Sequence, residues 1–71
     1  MLLEEKIENV RNRIRIARLK KNYTQDYVGN RLFMTQRSYH RLENGKSQLK
    51  VETLLKLAVV LEVKLIYFFD D

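Results

Sequence analysis

Apolar residues recur at helical spacing from one end of the chain to the other. Near the start they form one stripe, at intervals of three, four and three residues, made by Ile7, Val10, Ile14 and Ala17. This spacing is typical of a helix with one buried face. It predicts a first helix over Leu3–Lys20, with three arginines off the apolar stripe: Arg11, Arg15 and Arg18.

Two short helices are predicted in the middle of the chain, each after a threonine. Thr24 and Thr35 can cap a helix N-terminus, because a hydroxyl oxygen accepts a hydrogen bond from a free backbone N–H group. The second helix is predicted over Gln25–Leu32, and the third over Gln36–Glu43 with its end at Asn44-Gly45. Their expected buried positions are Val28, Leu32, Tyr39 and Leu42.

The rest of the chain predicts a fourth helix over Val51–Glu62 and a short fifth helical turn over Leu65–Phe69. The fourth helix is expected to bury Leu54, Leu57, Ala58 and Leu61. The chain has no proline, only two glycines and no repetitive stretch, so nothing in it predicts a linker. The pattern therefore predicts an all-α, compact five-helix fold and a single domain over residues 1–71.

The composition excludes several classes of protein. With no cysteine and one histidine, the chain has neither a disulfide framework nor a Cys/His zinc site, and we expect no metal or other cofactor. The longest apolar runs, Leu57–Leu61 and Leu65–Phe69, are far shorter than the roughly 20 residues that span a membrane. The N-terminus is acidic and unlike a signal peptide. We expect a cytoplasmic protein without a membrane partner.

The net charge of +5 is concentrated in the middle of the chain. Residues 11–50 hold eleven Lys or Arg and only two acidic residues, Asp26 and Glu43, whereas both ends are net acidic. A concentrated basic surface suits a polyanion, because each phosphate that Lys or Arg neutralises releases condensed counterions. The alternative interpretation is an ordinary solvated helix face.

The second and third helices, with the turn between them, have the layout of a helix-turn-helix over about residues 24–43. In this layout one helix enters the major groove of B-DNA and carries side chains to the base edges. Tyr39 and Leu42 are expected to point inward, which leaves four exposed positions on the third helix: Gln36, Arg37, His40 and Arg41. Gln can pair with adenine and Arg with guanine, so this face fits base reading.

An enzyme is the first alternative class, and the residues argue against it. Ser38 and His40 lie two residues apart on a helix and therefore do not face each other. The chain shows no glycine-rich phosphate loop and no pair of carboxylates for acid–base work. We therefore expect no enzymatic activity and no small-molecule site.

Residues 14–46 resemble the phage-repressor and Cro type of helix-turn-helix domain, the XRE family. The resemblance rests on "IRxxR" at residues 14–18, "TQ" at residues 24–25 and "LENGK" at residues 42–46, with Gln25 eighteen residues before Glu43. The segment "VETLLKLAVVLEVKLIYFF" is similar to the last two helices of that family. The resemblance implies a phage-repressor-like fold and a dimeric repressor that reads a palindromic operator in double-stranded DNA.

The resemblance also implies roles for individual residues. Gln25 would bind a DNA phosphate through its side chain and backbone N–H, and Asn44 and Lys46 would bind phosphates of the same half-site. The positions on or beside the recognition surface would be Thr35, Gln36, Arg37, Ser38, His40 and Arg41. The largest share of sequence information would come from Gln36, Arg37 and Arg41. For His40, a solvated side chain is the favoured alternative.

Arg18 and Glu43 resemble the pair that ties the first helix to the end of the third in this family. Glu43 is the only acidic residue among residues 27–51, and a carboxylate so close to a DNA-facing helix would repel phosphate unless a cation held it. The alternative makes Arg18 a phosphate contact and Glu43 an ordinary surface carboxylate.

Three positions depart from the family pattern. Phe33 stands where the turn most often has glycine, which would cost on the order of 1 kcal/mol and could reshape the turn if its φ is positive. Leu49 and Lys50 replace a proline and a capping residue, so the fourth helix is expected to begin poorly capped. Tyr39 replaces an aliphatic residue, and its hydroxyl must find a partner or reach solvent.

The C-terminal segment has more apolar residues than a core requires, which predicts a homodimer. Leu65, Phe68 and Phe69 are expected to cover the core. Ile66 and Tyr67 would then face outward, and residues of the preceding helix could extend the same patch: Val59, Leu55 or Val60. A contiguous apolar patch usually marks an interface. The alternative is a monomer in which both side chains fold back over the first helix, near Leu2 and Leu3.

A second alternative class keeps the same fold but changes its partner. A helix-turn-helix domain can bind a protein, as antitoxins do when they hold a toxin. An extra tail or groove for such a partner would favour this class, and the two residues after Phe69 leave little chain for a tail.

Overall fold

The computed structural model describes residues 2–70; Met1 and Asp71 lie outside the described part. Its elements are α1 (Leu3–Lys20), α2 (Gln25–Arg31), α3 (Gln36–Glu43), α4 (Val51–Leu61) and a 3-10 segment over Leu65–Phe69. No strand occurs between residues 2 and 70, so the all-α prediction is confirmed. Within the same range, no helix is both long and apolar enough to cross a membrane.

The five-helix count is not confirmed, because the last element is a 3-10 segment rather than an α-helix. Tyr67 N donates to the Lys64 carbonyl at 2.9 Å, which is the shorter i to i+3 bond of a 3-10 turn. The segment is only five residues long, and short pieces of this kind commonly take the tighter helix.

The capping residues act as the sequence predicts. The Thr24 and Thr35 hydroxyl oxygens accept hydrogen bonds from the backbone N–H groups of Tyr27 and Ser38, each at 3.0 Å. α4 begins after Lys50 without a side-chain cap. α2 and α4 end one residue earlier than predicted, since each predicted last residue is the C-cap in the structure.

The core forms where α1 contacts α3, α4 and the 3-10 segment, while α2 packs mainly against α3. The buried apolar side chains are Val10, Ile14, Ala17, Val28, Leu32, Tyr39, Leu42, Leu54, Leu57, Ala58, Leu61 and Phe68. Two core predictions are wrong, because Ile7 is 39% exposed and Phe69 is 52% exposed. Both line the open apolar groove between α1 and the 3-10 segment, which continues toward Leu49 and toward Leu54 of α4.

Close packing of α2 on α3 depends on Gly29. A Cβ atom at this position would lie 3.2 Å from the Tyr39 Cβ and 3.5 Å from the Met34 carbonyl oxygen. A larger residue would push the two helices apart, which would change the angle at which α3 is presented.

The turn between α2 and α3 keeps a left-handed residue even though that residue is an aromatic one. Phe33 has φ +59° and is 95% exposed. Its N–H donates to the Asn30 carbonyl at 3.0 Å, and the Met34 N–H donates to the Gly29 carbonyl at 2.8 Å. These two bonds form a Schellman motif, which normally has glycine at the left-handed position. The turn is therefore not reshaped, and Phe33 carries the strain.

Replacing Phe33 with glycine should stabilise the fold. The left-handed conformation costs a residue with a Cβ atom about 1–2 kcal/mol, and the greater freedom of glycine in the unfolded chain offsets about 0.5–1 kcal/mol of that. The exposed ring adds little packing. We expect Phe33→Gly to raise the free energy of unfolding by about 0.5–1 kcal/mol in urea denaturation. Phe33→Ala removes the ring but keeps the Cβ strain, so an equal gain in that control would contradict the explanation.

Candidate nucleic-acid interface

The recognition face is the solvent-facing side of α3 and the residues next to it. Tyr39 and Leu42 are buried and hold α3 against the core. The exposed side chains of α3 are Gln36, Arg37, Ser38, His40 and Arg41, and the predicted phosphate contacts Asn44 and Lys46 are exposed just beyond its end. Gln25, at the start of α2, is half-buried beside them. Thr35 is exposed as well, so all nine predicted DNA-binding positions are exposed or, for Gln25, half-buried.

Two of the predicted contacts also cap the helix. The Thr35 hydroxyl donates to Ser38 Oγ at 2.9 Å, while its oxygen accepts from the Ser38 N–H. Ser38 Oγ accepts in this pair, so its own hydroxyl hydrogen is not used in it. These two residues fix the N-terminal turn of α3, where the predicted DNA-contacting side chains begin.

The other end of α3 is held by a buried ion pair. Arg18 Nε lies 2.6 Å from Glu43 Oε2, and Arg18 Nη2 lies 3.2 Å from Glu43 Oε1. The Glu43 residue is 1% exposed and Arg18 is 9% exposed. The remaining guanidinium nitrogen, Nη1, donates to the Tyr23 carbonyl at 2.9 Å. One side chain of α1 thus joins the end of α3 to the segment that leads into α2.

Two further arginines of α1 bind the same end of α3, a role that the sequence pattern did not predict. Arg15 Nη2 donates to the Glu43 carbonyl at 2.8 Å. Arg11 is 7% exposed, and its guanidinium donates to the Leu42 carbonyl and, at 2.9 Å, to the Ser47 carbonyl. We call Arg11, Arg15 and Arg18 the arginine clamp. Cations suit a helix C-terminus, because its carbonyl groups carry partial negative charge.

The Glu43 carboxyl is held in its charged form. Burial by itself would raise its pKa, but hydrogen bonds, led by the one from Arg18, outweigh burial and hold the pKa of Glu43 below its usual value. Burial and the neighbouring Glu43 carboxylate raise the pKa of Tyr39, which stays neutral. The Tyr39 hydroxyl does not reach solvent; it lies near the Glu43 carboxylate, but no hydrogen bond of good geometry joins them.

A chain of polar side chains runs from Glu43 to the surface. Gln25 Nε2 donates to Glu43 Oε1 at 3.2 Å, and Gln25 Oε1 lies 3.0 Å from His40 Nδ1. Asn44 Nδ2 lies 2.8 Å from His40 Nε2. His40 is exposed, as the solvated alternative expected, and its ring nitrogens also contact both amides.

Comparison with known families identifies this arrangement. The family model described as "Helix-turn-helix" matches residues 14–68, well over half of the chain. The chain belongs to the XRE family of helix-turn-helix DNA-binding proteins. The match includes α2, α3 and all the predicted DNA contacts. Among curated proteins and among solved structures, no significant match was found.

In this helix-turn-helix protein the C-terminal apolar surface differs from the prediction at Tyr67. Ile66 and Val59 are 72% and 76% exposed. Tyr67 is half-buried instead of facing outward: the Arg13 guanidinium carbon lies 4.2 Å from the centre of its ring, and Arg13 Nε donates to its carbonyl at 3.0 Å. Arg13 also pairs with Asp70 at 3.5 Å. These contacts hold the 3-10 segment on α1. The monomer alternative expected both Ile66 and Tyr67 to fold back over α1, and only Tyr67 does so, beside Arg13.

Removing the Glu43 charge should destabilise the protein strongly. Glu43→Gln would leave Arg18 buried without its counter-ion, and breaking such a pair typically costs about 3–5 kcal/mol. We expect a loss of this size in urea denaturation at neutral pH. Glu52→Gln is the matched control, because Glu52 makes an exposed pair with Lys56 on α4. That control should change stability by less than about 0.5 kcal/mol.

Glu43→Gln also measures how much of the loss of stability at low pH comes from protonation of the Glu43 carboxylate. The folded pKa of Glu43 lies below the ordinary value of 4.5, so the stability that its charge contributes is fully present above about pH 4.5. It is lost as the pH falls through the folded pKa. Glu43→Gln should therefore lose less stability than wild type over this acid range. Parallel acid profiles for the two proteins would show that the carboxylate is not held as described.

Proposed function

We propose that this helix-turn-helix protein is a dimeric transcriptional repressor that reads a palindromic operator through the major groove. The observation that carries the proposal is the exposed polar face of α3, whose C-terminal end the arginine clamp holds against α1. A recognition helix fixed in this way presents its N-terminal side chains in one orientation, which base reading requires.

Base reading falls to the exposed side chains of α3. Gln36 can form two hydrogen bonds with adenine, and Arg37 and Arg41 can each form two with guanine. In the free protein the Arg41 guanidinium makes one contact at 3.3 Å, to the Lys46 carbonyl on the exposed surface. Such a bond is easily exchanged for a base edge.

Phosphate binding falls to the residues around α3. The proposed phosphate contacts are Gln25, Asn44 and Lys46, with Thr35 and Ser38 beside α3 and His40 hydrogen-bonded between Gln25 and Asn44. Because phosphate contacts carry no sequence information, these residues would set the register and orientation of the protein on the duplex. The basic middle of the chain would supply the long-range attraction.

Substitutions should separate the two kinds of contact. On a site selected from random DNA, Gln36→Ala or Arg37→Ala should each cost about 1–3 kcal/mol of binding free energy and relax discrimination at one position. Lys46→Ala should weaken binding to all sequences similarly and reduce the salt slope by about 1. The measurement is binding to site variants at several salt concentrations. A changed base preference in Lys46→Ala, with none in the other two variants, would contradict the assignment.

Dimerisation would bring two recognition helices to the operator, about 34 Å apart on successive turns of DNA. The exposed apolar side chains that support it are Ile66 of the 3-10 segment and a stripe on the outer face of α4: Val51, Leu55 and Val59. The stripe has intervals of four residues, so its members lie on one face of the helix. Tyr67, which the sequence pattern placed in the same patch, is half-buried against Arg13.

We expect wild type to form dimers, and Ile66→Asp or Val59→Asp to shift the equilibrium to monomers, because each would bury an unpaired carboxylate in the interface. Sedimentation at tens of micromolar measures the change. Leu3→Asp is the matched control, since Leu3 is equally exposed (70%) but lies beside the groove at the start of α1. A wild type that stays monomeric and binds a palindrome without cooperativity would refute the dimer. Loss of the dimer in the Leu3 control alone would move the interface to that groove.

A further inference from the structure

We propose that His40 is a positioning residue, which orients the phosphate-binding amides of Gln25 and Asn44. The buried Glu43 carboxylate sets which group donates and which accepts in each of the hydrogen bonds that join these side chains. The inference rests on the proposed DNA-binding role and deepens it. It differs from a direct contact, because His40 would act through its two neighbours rather than on the DNA itself.

The first step is the orientation of the Gln25 amide. A carboxylate only accepts hydrogen bonds, and the low pKa of Glu43 keeps it ionised at neutral pH. The Gln25 group that lies 3.2 Å from Glu43 Oε1 must therefore be the NH2 group. This leaves the amide oxygen of Gln25 directed at the imidazole of His40, 3.0 Å from Nδ1.

The second step is the proton position on His40. An amide oxygen cannot donate, so Nδ1 must carry the hydrogen of this bond. In the neutral ring Nε2 is then an acceptor, and the group of Asn44 that lies 2.8 Å from it must be the NH2 group. One buried charge thus sets the direction of three successive hydrogen bonds that end at the surface.

The third step concerns the donors that remain for DNA. Each amide uses one N–H within the hydrogen-bonded series, Gln25 toward Glu43 and Asn44 toward His40, and has a second N–H left to donate to a phosphate oxygen. His40 joins a residue of α2 to the residue just after α3, so it holds the two donors at a fixed separation. Donors that are already ordered lose less conformational entropy on binding.

The first test reads the imidazole proton directly and needs no DNA. Nitrogen–proton NMR correlations at pH 8 should show His40 of the full chain protonated at Nδ1, which is the minor tautomer of free histidine. Gln25→Ala removes the acceptor and should return His40 to mainly Nε2 protonation. Gln48→Ala, an exposed loop glutamine, should leave the tautomer unchanged. Protonation at Nε2 in wild type, or no change in Gln25→Ala, would overturn the proposal.

The second test measures whether His40 acts through its neighbours. The probe is a short labelled duplex of mixed sequence at low salt, followed by fluorescence anisotropy. His40→Ala should weaken binding roughly twofold to tenfold, the range of one or two ordinary hydrogen bonds, in an otherwise wild-type chain. In a Gln25→Ala, Asn44→Ala background the same change should have almost no effect. His40→Gln, which keeps a donor and an acceptor, should restore part of the loss.

Equal losses in both backgrounds would overturn the positioning role and make His40 a DNA contact in its own right. Circular dichroism checks that each variant remains helical. If wild type bound no duplex at all, the proposed function itself would be contradicted. The tautomer measurement would still decide whether Glu43 sets the direction of the hydrogen bonds through His40. A failure of the proposed function and a failure of the positioning role are therefore distinguishable.

Discussion

The buried carboxylate of Glu43 is the constraint on which the rest of this structure depends. An ionised carboxylate in a small core is tolerated only when cations and donors surround it. Arg18 meets this need with two hydrogen bonds, and Gln25 adds a third. Because these partners come from α1 and α2, satisfying the charge at the end of α3 also joins all three helices.

The arginine clamp satisfies the backbone carbonyl groups at the end of α3 as well as the Glu43 carboxylate. The last carbonyl groups of α3 have no partner within the helix, and Arg11 and Arg15 bind two of them. The three guanidinium groups of the clamp do not face solvent alone but bind the C-terminal end of α3 on its α1 side. The proposed DNA contacts accordingly come from α3, from the segment just after it and from Gln25 at the start of α2.

Local signals predicted the helices well. Threonine caps placed the starts of α2 and α3 at the right residues, and the apolar spacing identified nearly all of the core. The errors lie where distant residues decide. Arg11 looked like a surface residue, because its carbonyl partner is 31 residues away. Tyr67 looked outward-facing, because the sequence does not show that Arg13 would stack on its ring.

Helix ends illustrate the same division between local and distant control. Left-handed residues follow α1, α2, α3 and α4, at Asn22, Phe33, Gly45 and Glu62. Gly45 after α3 is predictable from the sequence, because glycine favours a positive φ at a helix C-terminus. Phe33 after α2 is not, because phenylalanine disfavours that conformation. Phe33 adopts it in a turn that is held by the Phe33–Asn30 and Met34–Gly29 backbone hydrogen bonds.

The most direct measurement is an NMR titration of the nitrogen-15-labelled chain with a short B-DNA duplex. The account predicts that the largest amide and side-chain shifts fall on Gln25, Gln36, Arg37 and Asn44, and that the outer face of α4 around Leu55 changes little. Shifts concentrated on α4 and the 3-10 segment, with α3 unchanged, would contradict it.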